Sequence, residues 1–159
     1  RCFSERMHMI PYQPFAEHLK KLQVLASPSE LQAHAAGMLT FLHSCGYIVE
    51  ILDDLIDAGL DVIQMDQQEN MGLELLGERF GGRIAFWCPV DIQQTMCHGS
   101  EADIRAYCRA LFKHLGGKSG GFLPGWYGDP VGAGHSDEAQ RIMFDEFDKI
   151  SMDVYGKAK

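Results

Sequence analysis

His43 and Cys45 stand two residues apart at the end of the apolar run Leu39-Thr40-Phe41-Leu42, and Gly46 follows them. In an extended chain residues i and i+2 lie on the same side, so an imidazole and a thiol can be aimed at one point. A metal ion is one target for such a pair. The other reading is a buried strand that ends in a polar histidine and a small apolar cysteine. Spacing alone leaves both open. The adjacent acids Asp53 and Asp54 also suggest chemistry. Neighbours on a helix diverge by about 100°, however, and these two fall opposite its apolar face, so they read as solvated.

The elements that must position these residues follow from periodicity. Pro11 and Pro14 delimit a helix with Phe15, Leu19, Leu22 and Leu25 at helical spacing. A second helix opens at Ser27, with Pro28 first in the helix and Glu30 closing a capping box, and stops at Gly37. The strand Met38–Leu42 comes next. Ile48, Ile51, Leu52, Leu55 and Ile56 line one face of a helix ended by Gly59. Asp61–Met65 reads as a second strand, Met71–Phe80 as a helix and Arg83–Cys88 as a third strand. Ser100 and Asp103 open a helix with Ile104, Tyr107, Cys108, Leu111, Phe112 and Leu115 on its inner side, which makes Cys108 a core residue. A short strand at Gly121–Leu123 and a helix capped by Ser136, with Ala139, Ile142, Met143, Phe147 and Ile150 inward, complete the pattern.

Four strands alternating with helices through short connections predict a parallel sheet with right-handed crossovers, whose ligands sit at the carboxyl ends of the strands. That rim gathers His43 and Cys45, Asp66 and Gln67, Asp91 and Gln93, and Trp126 and Tyr127 as a substrate-binding set. A small open sheet of flavodoxin type is the rival geometry and obeys the same rule. Gly132-Ala133-Gly134 follows a long loop and not a strand, so it is no phosphate-binding fingerprint. Cys97 and His98 are adjacent in a loop and diverge, so they read as incidental.

Composition narrows the function. With 159 residues, 46% of them hydrophobic, the chain can build one core. A net charge of -8, with 14 scattered basic residues, offers no basic face to nucleic acid. No apolar run approaches a membrane span and no leader pattern is visible, so a cytoplasmic location is expected. Five widely spread cysteines, Cys2, Cys45, Cys88, Cys97 and Cys108, are expected to be reduced thiols. Organisation is expected as a helical segment over 1–37, a strand–helix body over 38–150 and a frayed tail over 151–159.

The succession His43-Ser44-Cys45-Gly46, Ile51 through Asp61, Arg83-Ile84-Ala85-Phe86-Trp87 with Asp91-Ile92-Gln93, and Gly120-Gly121-Phe122 resembles the uroporphyrinogen decarboxylase superfamily. The likeness covers roughly residues 36–150. It implies an α/β fold that is the C-terminal half of a TIM (β/α)8 barrel, four parallel strands alternating with helices. A whole barrel takes about 250 residues. The likeness therefore implies that the other half comes from further polypeptide or from a second copy.

Two chemistries are implied. One branch decarboxylates porphyrinogen acetates without a cofactor, through residues of the N-terminal half. The other comprises cobamide-dependent methyltransferases, in which His-x-Cys and a later cysteine bind zinc, and a corrinoid on a partner protein exchanges a methyl group with a thiol. The methyltransferase branch is the nearer, with His43 and Cys45 as zinc ligands. Where that branch has its later cysteine this chain has Trp126-Tyr127-Gly128, which leaves Cys88 or His135 as the expected third ligand. A metal-free carboxy-lyase with Asp66, Gln67, Asp91 and Gln93 orienting a carboxylate is the alternative. A non-catalytic half-barrel is the third reading.

Overall fold

The computed structural model describes residues 33–116 and 120–156. The expected helix at Phe15–Leu25 and the start of the one at Ser27 lie outside the described residues. The end of the second helix lies within them. Gly37 adopts φ +73°, and the bonds Gly37 N to His34 O and Met38 N to Ala33 O, both 2.9 Å, close the last turn. Glycine takes that left-handed conformation without steric cost.

Four strand–helix units follow. Strand β1 (Phe41–His43) leads to helix α1 (Val49–Asp57), and β2 (Val62–Gln64) leads through a 3-10 turn at Gln68–Asn70 to α2 (Leu73–Phe80). Strand β3 (Ala85–Cys88) is followed by α3 (Thr95–His98) and α4 (Glu101–His114), and β4 (Phe122–Pro124) by α5 (Asp137–Tyr155). All pairings are parallel and the order is β1-β2-β3-β4. Among the described strands the order does not reverse, as it would at the switch point of a doubly wound sheet.

Right-handed crossovers in one direction put the helices on one face. Burial agrees: the register row Ile63–Phe86–Phe122 is buried, and Leu52, Leu76, Leu111 and Met143 from four helices pack on the same side. The opposite face carries Phe41, His43, Val62, Gln64, Ala85, Trp87 and Leu123, none of them buried. No described residue closes over it.

Several expectations are corrected. The reading of a buried first strand does not hold at Phe41, which is 53% exposed because β1 is at the edge of the described sheet and Phe41 faces the uncovered side. Cys97 and His98 lie in the short helix α3, not in a loop. Residues Ser151–Tyr155 continue α5, where a frayed tail was expected. The capping box is present as read: Asp103 N donates to Ser100 Oγ, and Ser100 N to Asp103 Oδ2. Cys108 is fully buried, which pushes its thiol up to about 12.

Helices α4 and α5 are joined by the aromatic contact Phe112–Phe147, with Phe122 of β4 against both rings, and by Glu146. This carboxylate is only 2% exposed and accepts from Arg105 Nη1 at 2.9 Å and from Arg109. Burial opposes its charge, but the Arg105 bond and the Arg109 charge outweigh burial and hold the carboxyl below its ordinary value. A lowered folded value means stability present above about pH 4.5, the unfolded value, and lost as pH falls through the folded one. Glu146→Gln is expected to cost about 2 kcal/mol at pH 7 and to flatten the acid limb. Urea unfolding at pH 7 and pH 3 measures both.

Candidate metal centre

The rim at the carboxyl ends of β1 and β2 is a two-by-two arrangement dictated by register. His43 pairs with Gln64 across the parallel ladder, and each strand continues two residues further to Cys45 and Asp66. Paired residues in adjacent strands point the same way, about 4.8 Å apart, and so do residues i and i+2. The bond from Ser44 N to Gln64 O, 3.1 Å, extends the ladder into the loop, and Gly46 N donates to Gln67 Oε1 at 3.2 Å. At Gly46 the chain turns with φ +86°.

One ligand atom each from His43, Cys45 and Asp66 lies within 4.8 Å of the others. Cys45 Sγ and His43 Nε2 are 3.3 Å apart. Donors around a tetrahedral zinc with bonds of about 2.0–2.3 Å stand roughly 3–4 Å apart, so these three fit the ion after small side-chain movements. An imidazole, a thiol and a carboxylate also match the donor types zinc selects, and three protein ligands leave a fourth position open. His43 and Cys45 are exposed and Asp66 is half-buried, so that position faces solvent. Partial burial and the neighbouring Asp66 charge push the Cys45 thiol up, which leaves it protonated at neutral pH until a cation compensates.

The other rim residues have different places. Cys88 is not on this surface: it shares the parity of Phe86, is fully buried in the core, and its thiol is raised by that burial. His135 is 7% exposed, and its Nε2 lies 2.8 Å from Ile92 O, across the sheet from His43. Neither joins His43 and Cys45; the residue brought beside them is Asp66, expected instead to bind substrate. Asp91 is 6% exposed and caps α3, accepting from the backbone of Gln93 at 3.0 Å and of Thr95 at 2.9 Å. Burial opposes its charge, but these bonds outweigh burial and hold it below the ordinary value. Gln93 is exposed beside it.

Trp126 is exposed at the end of an aromatic row on the open face, 6.4 Å from Trp87, which lies 5.5 Å from Phe41. Tyr127 packs toward His135, with ring centroids 6.1 Å apart.

Two polar residues near the centre were missed. Gln64 bridges it, and fully buried Gln68 donates from Nε2 to Pro89 O at 2.7 Å, bracing the β2 loop against the β3 loop. A polar residue inside the apolar run Val62-Ile63-Gln64-Met65 was the visible signal for the first.

No helix among the described residues is long and apolar enough to cross a membrane. In comparisons with known proteins, no family model, curated protein or solved structure matches the chain.

Proposed function

We propose that this chain is the C-terminal half of a (β/α)8 barrel of the uroporphyrinogen decarboxylase type, and that it serves methyl transfer between a corrinoid or other methyl donor and a thiol acceptor. The observation that carries the reading is the convergence of His43, Cys45 and Asp66 from two adjacent strand ends. The sequential strand order and the one-sided packing of the helices support the half-barrel. The remaining four units come from further polypeptide or a second copy, and the methyl group from a small donor or a corrinoid protein.

In this reading His43 Nε2, Cys45 Sγ and Asp66 hold the ion. Bound zinc supplies a cation that keeps an acceptor thiol as thiolate at neutral pH. Gln67 fixes the Gly46 turn and so the direction of Cys45. Phe41, Trp87 and Trp126 present an apolar wall beside the site, suited to a flat or methyl-bearing ligand.

Protein purified without chelator is expected to carry close to one zinc per chain by elemental analysis. His43→Ala and Cys45→Ala are each expected to lose it and to unfold below the zinc-loaded parent, because an ion bound only by the folded state stabilises it; both residues are exposed, so metal-free parent and variants should unfold alike. Zinc-free parent protein, with His43→Ala unchanged in stability, overturns the metal reading. Metal-independent turnover of a porphyrinogen by the completed barrel supports the carboxy-lyase instead.

A further inference from the structure

We infer that Gln64 is the positioning residue of the centre: its single amide fixes the tautomer of His43 and the orientation of Asp66, so that both present a free donor atom beside Cys45. The inference rests on the metal reading above and deepens it.

The argument is one of satisfiable hydrogen bonds. Gln64 Nε2 lies 2.6 Å from Asp66 Oδ1. An ionised carboxylate only accepts, so the amide nitrogen must be the end that faces it. The amide oxygen then faces His43, where Oε1 contacts Nδ1. An amide oxygen only accepts, so Nδ1 must carry the imidazole hydrogen. The lone pair is therefore on Nε2, the atom 3.3 Å from Cys45 Sγ. On the other side, the bond to Oδ1 leaves the second carboxylate oxygen of Asp66 for a ligand.

Reversing the amide would set its oxygen against a carboxylate oxygen of Asp66, which cannot donate, so the chain of bonds has one sense. The backbone secures it, because His43 and Gln64 are register partners and Trp87 is the next residue in the same row. Gln64 is thus to the ligands what a carboxylate or carbonyl is to many metal-bound histidines: the group that holds the ring and selects its donor nitrogen.

Two variants separate this role from simple packing. Gln64→Leu removes both bonds. Gln64→Glu keeps an acceptor for His43 Nδ1 but sets a second carboxylate against Asp66. Co2+ serves as the probe, read by its visible absorption and by titration calorimetry. Relative to the parent, Gln64→Leu is expected to bind Co2+ 10–100-fold more weakly. In metal-free protein, nitrogen NMR of the His43 ring is expected to show hydrogen on Nδ1 in the parent and in Gln64→Glu, and a mixture of tautomers in Gln64→Leu.

Unchanged Co2+ affinity together with an unchanged His43 tautomer in Gln64→Leu overturns the inference. Parent protein that takes up no metal removes the zinc reading, while the tautomer of the metal-free ring still decides the role of Gln64. Gln64 faces the open side of the sheet and is not buried, so both variants should keep the parent's fold, which the unfolding midpoint checks.

Discussion

Replacing Gly77 by alanine is expected to destabilise the protein by about 2 kcal/mol, against the ordinary sign of that change. In a helix interior alanine is favoured over glycine by about 1 kcal/mol, so at most positions of α2 the substitution would stabilise. At Gly77 an added Cβ would lie 2.1 Å from the backbone oxygen of His114, where 3.4 Å or more is ordinary contact. That oxygen belongs to the last turn of α4 and cannot rotate away as a side chain would. The two helices must separate by about 1 Å, loosening the core around the fully buried Leu76 and Leu111. Thermal unfolding measures the effect, and a midpoint equal to or above the parent's would mean that the close approach is not maintained in solution.

Phe86→Ala is expected to cost more, about 3–5 kcal/mol. Phe86 is fully buried on an inner strand, with Ile63 and Phe122 beside it in the same row. Its neighbours are held by ladder bonds on both sides, so the cavity cannot collapse. At roughly 3 °C per kcal/mol for a chain of this size, the midpoint should fall by about 10 °C. Trp87→Ala is the comparison. It deletes a larger side chain, but one facing the open side and only partly buried, so its cost should be the smaller. The reverse order would show that the face of Trp87 is covered in solution.

What could be read beforehand was whatever local chemistry decides. The capping box at Ser100, the inner stripe of α4, the inward residues of α5 and the polar ends of the strands all depend on a few adjacent residues. Exposure of Phe41 was not legible, because an apolar strand looks the same whether a layer covers it or not. Cys88 could have been placed by parity: once Phe86 is inward, a residue two further on is inward too. The same counting, applied across strands, would have set Gln64 opposite His43, but register depends on where each strand starts, and that is fixed by tertiary pairing. Asp66 was placed on the same rim as a substrate-binding residue, and not among the metal ligands, for the same reason. Its closeness to Cys45 follows from the pairing of His43 with Gln64.

The uninterrupted strand order has a kinetic meaning. Paired residues are 21, 23 and 36 positions apart in the chain: Phe41 with Val62, Ile63 with Phe86, and Phe86 with Phe122. No described strand waits for one made much later, so the loop that must close before each new pairing stays short. During synthesis each described strand after β1 emerges to an edge already laid down, and this part of the sheet can be assembled in the order in which it is translated.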